Sequence, residues 1–112
     1  MITYDDFQRV DIRVGKIVEV SDFPEARNPT FKLKINFGPE IGIKSSGVQV
    51  VGAHAKEELR GMLVCCVVNF SPKKIGSFTS EVLTLGFNNT ADIGWVLITP
   101  AKATVEIGSR LS

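Results

Sequence analysis

The sequence predicts an all-β protein, a small five-stranded barrel that carries short helices. Three observations support this prediction. Apolar and polar residues alternate in several stretches, for example along residues 31–37, "FKLKINF". Glycine, proline and asparagine separate these stretches at short intervals. The length of 112 residues suits one domain, residues 1–112, that buries a core without disulfide bridges.

The first elements are a short helix and a long strand. Thr3 is followed three residues later by Asp6, just before an apolar residue, and this spacing resembles a capping box. Residues 10–20 then alternate as a single strand with Gly15 in the middle. Glycine inside a strand often marks a bend or a bulge, and the first strand of a small closed barrel must bend.

Residues 31–46 predict two strands joined by a tight turn. We expect the buried face to set the register, so a three-residue loop at 38–40 pairs Ile35 with Ile43. After Ile43 the apolar alternation slips, which predicts a bulge near residues 45–47.

The remaining chain predicts one helix and three strands. The helix is "AKEELR", followed by a strand in "MLVCCVVNF", a loop in "SPKKIGSFTS" and two strands in "EVLTLGF" and "WVLITP". Five core strands with a helix between the third and the fourth fit an OB-fold, a five-stranded Greek-key barrel. The last strand and the tail lie beyond this barrel, and a second copy of the chain is the simplest neighbour for them.

Composition excludes several classes of protein. The net charge is +1, so any preference for an anion must come from local clustering. The acidic amino terminus does not resemble a signal peptide, and two adjacent cysteines in an apolar run indicate a reducing compartment, so we expect a cytoplasmic protein. His54 is the only histidine and no activated nucleophile is evident, so we expect neither a metal site, nor a cofactor, nor an enzyme.

The candidate binding site is the face that an OB-fold presents on its second and third strands, flanked by the loops after strands one and four. Basic residues fall on this face and in both loops: Lys32, Lys34 and Lys44 on the strands, Arg27 in the first loop, and Lys73 and Lys74 in the second. The predicted register also sets Lys34 opposite Lys44, with Lys32 beside Ser46. Opposed like charges cost up to about 1 kcal/mol, which a bound polyanion would offset. The alternative is that these lysines only keep a polar face solvated.

Aromatic residues on this face are few. Phe31 and Phe37 alternate with core residues, so Phe78 in the basic loop is the better candidate for stacking on a base. A binding site with few stacking rings suits recognition of the shape and backbone of a folded RNA.

Four segments carry a family resemblance: "VDIRVGKIVEV", "FKLKINFG", "VVNFSPKKIGSFTSEVL" and "VLITPAKATVEIGSRL". Together they resemble the tRNA-binding domain family, an OB-fold appended to some tRNA synthetases and also found as stand-alone homodimers. The segments "DFPEAR", "EIGIKSS" and "IGSFTSEVL" are most similar to the small CsaA-type members, described as protein-export chaperones.

The resemblance implies further site residues. A family segment of the form Asn-x-x-Pro-basic corresponds to the stretch from Asn69 to Gly76, with Lys73 and Lys74 in its basic positions. The Ser-x-x-Met signature, which is implicated in tRNA contact, aligns with Ser80 and Leu83, where the methionine is absent. The resemblance further implies a homodimer built from the terminal segments.

Three functions remain open at this point. The first is a non-catalytic tRNA-binding protein, and the second is a chaperone for unfolded or export-bound polypeptides that works with the export machinery. The third is a structural oligomerisation module that binds neither RNA nor unfolded protein.

Overall fold

The computed structural model describes residues 1–112. In chain order the elements are α1 (Tyr4–Gln8), β1 (Ile12–Asp22), β2 (Phe31–Asn36), β3 (Ile43–Val48), α2 (Lys56–Leu59), β4 (Leu63–Val67), β5 (Lys73–Ile75), β6 (Phe78–Ser80), β7 (Leu83–Thr84), β8 (Gly86–Asn88) and β9 (Trp95–Leu97). Five of the strands form one antiparallel sheet in the order β3-β2-β1-β4-β7. The predicted five-stranded barrel with small helices and additional strands near the carboxyl terminus is therefore confirmed.

The two edge strands of this sheet, β3 and β7, meet and nearly close the barrel. The carbonyl oxygen of Ser45 accepts hydrogen bonds from the backbone N–H groups of Glu81 at 2.8 Å and Val82 at 3.3 Å. The Ser46 hydroxyl donates to the Val82 carbonyl oxygen at 3.1 Å and shares a 2.8 Å bond with the Thr84 hydroxyl. These bonds use backbone groups that an open sheet edge would leave unpaired.

A cluster of 12 buried residues fills the barrel, mostly from the inward faces of β1 to β4. Gly15 on β1 is required by this packing, because a Cβ atom there would lie 2.5 Å from Ile35 Cγ2 and 2.7 Å from Phe37 Cε1. The bend expected at Gly15 occurs further along the strand. The β1–β2 register shifts between Ile17 and Glu19, so Val18 is the extra residue of a bulge.

The register predicted for β2 and β3 is wrong by one residue. Ile35 lies opposite Lys44, and Asn36 lies opposite Ile43, whose side chain is 58% exposed. The turn is longer than predicted, since the N–H of Phe37 donates to the carbonyl of Gly42 at 3.0 Å. Two glycines in the left-handed region, Gly38 with φ 87° and Gly42 with φ 84°, permit this wider turn.

The bulge expected near residues 45–47 is also absent. The β2–β3 pairing is continuous from Phe31 opposite Val48 to Asn36 opposite Ile43. The apparent slip in the apolar alternation arises because a polar residue, Ser46, occupies an inward position with 0% of its surface exposed. Its two hydroxyl hydrogen bonds offset the cost of burying it.

The segment 71–80, predicted as a loop, contains the hairpin β5–β6. Ile75 pairs with Phe78 across the two-residue turn Gly76-Ser77. The hairpin packs on β3 at Gly47, where a Cβ atom would lie 3.3 Å from Ile75 Cδ1 and 3.5 Å from Phe78 Cε2. A glycine at this position of β3 therefore lets the hairpin approach the barrel wall.

The carboxyl-terminal part of the chain packs against the barrel at several places. β9 pairs with β8, and the backbone N–H of Leu97 donates to Nε2 of His54 at 3.1 Å. The tail runs beside β1, with Gly108 N–H donating to the Val14 carbonyl and Leu111 N–H donating to the Ile12 carbonyl, both at 2.8 Å. None of the helices has the length and apolar character needed to cross a membrane.

Candidate nucleic-acid interface

Lys32 and Lys34 lie on the outward row of β2, as predicted, but their neighbours differ from the prediction. Lys34 pairs with Glu19 on β1 and with Ser45 on β3. Lys32 pairs with Ser21 and with Gly47 on the same two strands. Opposing lysines therefore do not meet across β2 and β3, and the predicted repulsion between Lys34 and Lys44 is absent.

Lys44 belongs to the other row of β3. Its opposite residue is the buried Ile35, and its ammonium lies 4.0 Å from Glu81 Oε2. Glu81 also accepts hydrogen bonds from the backbone N–H of Ser45 at 3.0 Å and from the Ser45 hydroxyl at 2.9 Å. The bond from the Ser45 N–H is the main cause that lowers the pKa of Glu81, and Lys44 adds to this effect. The positive charge of Lys44 is thus partly neutralised.

Lys32 contacts two aromatic rings. Its Nζ atom lies 5.3 Å from the ring centroid of Phe23 and 5.9 Å from that of Phe78. The two rings meet edge to face, with centroids 5.3 Å apart and planes at 68°. Phe23 is only 4% exposed although it lies outside the main core cluster, whereas Phe78 is half-buried. The contact joins the loop after β1, the strand β2 and the hairpin.

The hairpin places its two lysines on different faces. Lys73 pairs with Ser80, and Lys74 pairs with Thr79. Side chains alternate along a strand, so Lys73 shares its face with Ile75 and Phe78, which pack towards β3, while Lys74 points the other way. Both lysines are exposed, and Arg27 is exposed in the loop that follows Phe23.

Three of the predicted contact residues are engaged within the protein. Ser46 is fully buried, so its assignment to an RNA-contacting face was wrong. The Ser80 hydroxyl accepts from the Gly47 N–H at 3.0 Å and lies 3.4 Å from the Val82 carbonyl. The Asn69 amide accepts from the Asp11 N–H at 3.0 Å and donates to the Arg9 carbonyl at 2.8 Å, which fastens the segment after α1 to the end of β4.

Phe23 was missed by the sequence reasoning. The only signal was a phenylalanine directly after the polar end of β1, in "SDFPEAR", which suggested an ordinary loop. Its burial depends on Phe78, which is 55 positions away along the chain, so local alternation gave no indication of it.

A second surface feature is a groove of about 650 Å³ beside the hairpin. Its walls come from the end of β3, the hairpin, β7 and β9, and include Phe70, Ile75, Leu83, Trp95 and Leu97. Beyond it, apolar residues of the β8–β9 region are exposed: Phe87 by 70%, Ile93 by 54%, Trp95 by 45% and Val96 by 42%. Lysine and arginine are absent from residues 75–101.

Comparison with protein families decides what kind of domain this is. A family model described as "Putative tRNA binding domain" matches residues 12–110. The chain belongs to this family. The matched residues span the whole barrel, including β2 and the hairpin β5–β6, and most of the carboxyl-terminal tail.

Similar proteins include tRNA ligases and small chaperone structures. Methionine–tRNA ligases from Bacteroides fragilis and Thermococcus kodakarensis are 37% and 31% identical over 98% of this chain. The chain spans only 16% and 14% of the length of these two ligases. Among solved structures, a CsaA chaperone protein from Picrophilus torridus is 48% identical, with a TM-score of 0.92 and full coverage of both chains. A chaperone CsaA from Bacillus anthracis is 37% identical, with a TM-score of 0.88 over 100% of this chain and 99% of the other.

Proposed function

We propose that this protein is a non-catalytic tRNA-binding protein of the CsaA type. It contacts the phosphate backbone of a folded RNA through a basic surface made of Lys32 and Lys34 on β2, Arg27 in the loop after β1, and Lys73 with Phe78 on the hairpin. Lys74, exposed on the opposite face of the hairpin, contacts the RNA at the edge of this surface. Membership of the family supports the class of ligand. In this proposal Ser80, Asn69 and Lys44 make contacts within the protein, to Gly47, to the segment after α1 and to Glu81 respectively, and do not bind the RNA directly.

The observation that carries the proposal is the state of Lys32 and Lys34. Both lie on the outward row of β2, and neither ammonium group is within 4.0 Å of a carboxylate. Glu19 faces Lys34 across β1 and β2 without forming an ion pair, so both ammonium groups are available to bind a phosphate. Phosphate contacts position a protein on a nucleic acid without reading its sequence, which suits a surface with one accessible ring.

The test is the affinity for tRNA of the double variant Lys32→Gln/Lys34→Gln at low salt. Loss of two phosphate contacts should weaken filter-retained tRNA binding by roughly tenfold or more. Lys102→Gln is the matched control, because Lys102 is an exposed lysine in the carboxyl-terminal segment. Equal affinities for the double variant and the control would reject the proposal.

A second candidate function is a chaperone that binds unfolded or export-bound polypeptides. The apolar groove beside the hairpin favours it, as does the similarity to two structures titled as CsaA chaperones. Lys73 lines this groove and also belongs to the proposed RNA surface, so the two ligands would overlap. tRNA should then compete with a denatured protein for binding, whereas independent binding would assign the ligands to separate sites.

We further propose that the protein is a cytoplasmic homodimer, in which a second copy covers the exposed apolar residues of β8 and β9. Exposed apolar patches of this kind mark interaction sites more often than free surface. A symmetric dimer would give two RNA-binding surfaces per particle.

A further inference from the structure

Phe23, Lys32 and Phe78 contact one another, and this contact determines where the positive charge of Lys32 lies. A cation near the face of an aromatic ring is attracted by the negative potential of that face. Lys32 lies within 5.3 and 5.9 Å of two ring centroids, and the rings contact each other. The ammonium is therefore held at one place on the outer surface.

Three lysines of the neighbouring strands differ in how they are held. Lys34 is exposed and has no aromatic contact, and Lys44 lies beside the Glu81 carboxylate. Lys32 alone is held by rings, which leave its charge unneutralised. A lysine loses much rotamer freedom when it binds a phosphate, and at Lys32 part of that loss has occurred before binding.

We infer that Phe23 is a positioning residue for RNA binding. At 4% exposure it cannot stack on a base, but it holds the ammonium of Lys32 and the ring of Phe78 in place. A phosphate binds the fixed ammonium, and the exposed part of the Phe78 ring borders the adjacent base. This inference rests on the proposed tRNA-binding function and assigns Phe23 a part in it.

The experiment replaces Phe23 by 3,4,5-trifluorophenylalanine, which keeps a flat ring of nearly the same size and removes most of the negative potential of its face. Loss of one cation–ring contact should weaken tRNA binding by roughly twofold to fivefold at low salt. The denaturation midpoint should stay unchanged. The same replacement at Phe7, a half-buried ring of α1 in contact with Tyr4, is the control and should not change tRNA binding.

A double-mutant cycle separates positioning from packing. In the Lys32→Gln background, which has no ammonium to hold, fluorination of Phe23 should leave the tRNA affinity unchanged. An equal loss of affinity in both backgrounds would mean that Phe23 acts through packing alone, and it would overturn the inference. So would full wild-type affinity of the fluorinated protein. Failure of the wild-type protein to bind tRNA would overturn the proposed function as well, so the two failures are distinguishable.

Discussion

Two regions of the surface differ in what they offer a partner. On the outer face of β2, the two lysines lie beside Glu19, Ser21, Ser45 and Gly47, and the ring of Phe23 lies beneath the ammonium of Lys32. On β8 and β9 the side chains of Phe87, Trp95 and Val96 are exposed, and residues 75–101 contain no lysine or arginine. The first region suits an anion and the second suits an apolar protein surface. A net charge of +1 therefore does not reveal that the surface has one lysine-bearing region and one apolar region.

The largest effect is expected from placing a charge in the apolar region. Phe87→Glu should weaken the proposed dimer by roughly 30-fold or more, because an unpaired carboxylate would be buried at the contact. The fold should persist, since Phe87 is 70% exposed in the single chain. Light scattering after size exclusion should detect the change from dimer to monomer.

Ile43→Glu is the matched control for this substitution. Ile43 is 58% exposed at the start of β3, whereas β9 contacts the chain beyond the other end of β3, where the Trp95 N–H donates to the Gln49 carbonyl at 2.9 Å. Its variant should keep the mass of the wild-type particle. If the Phe87→Glu and Ile43→Glu proteins have the same particle mass, the exposed apolar residues of β8 and β9 do not form the dimer contact.

A smaller effect is expected from a substitution at Ser46, which tests the closure of the barrel independently of RNA contact. Ser46→Ala removes hydrogen bonds to Val82 and Thr84 and should lower the free energy of unfolding by about 1–2 kcal/mol. tRNA affinity should remain at the wild-type value, because the side chain is fully buried. Urea denaturation and filter binding measure the two quantities.

Ser77→Ala provides the control for the loss of a hydroxyl. Ser77 is exposed in the turn of the hairpin, so its removal should change stability by less than about 0.5 kcal/mol. A Ser46→Ala protein that folds with wild-type stability yet binds tRNA weakly would return Ser46 to the binding surface.

The smallest effect is expected from Glu81→Gln, and it depends on pH. The Ser45 N–H lowers the folded-state pKa of Glu81, so the carboxylate stabilises the fold above its unfolded pKa, and this stabilisation is lost as pH falls through the folded pKa. The difference in stability between wild type and variant should therefore be present at pH 7 and shrink in acid. A difference in stability between wild type and Glu81→Gln that is the same at pH 7 and in acid would contradict the lowered pKa of Glu81.

The sequence predicts the barrel well because its signals are local. Alternation identifies the inward residues of β2, and the spacing of Thr3 and Asp6 correctly predicts the cap of α1, in which each backbone N–H bonds the other side chain. The helix at 55–60 is found as α2. Each of these elements depends on residues within a few positions of one another.

The site is predicted less well because register and tertiary contacts are not local. Ile43 looked like a core residue, and Ser46 looked like a surface residue, because a wide turn with two left-handed glycines was mistaken for a tight one. This one-residue error exchanged the faces of Lys44 and Ser45. Phe23 does lie in the loop after β1, but its burial was not predicted because its partner, Phe78, lies on a hairpin that local alternation did not indicate.

The salt dependence of tRNA affinity tests the central claim most directly, since it counts the phosphates that the lysine surface neutralises. Each such contact contributes about 0.7–0.9 to the slope of log affinity against log salt. Wild-type protein should show a steep negative slope, and Lys32→Gln/Lys34→Gln should reduce it by about 1.5. Identical slopes for the two proteins would contradict the claim that these side chains of β2 bind the RNA backbone.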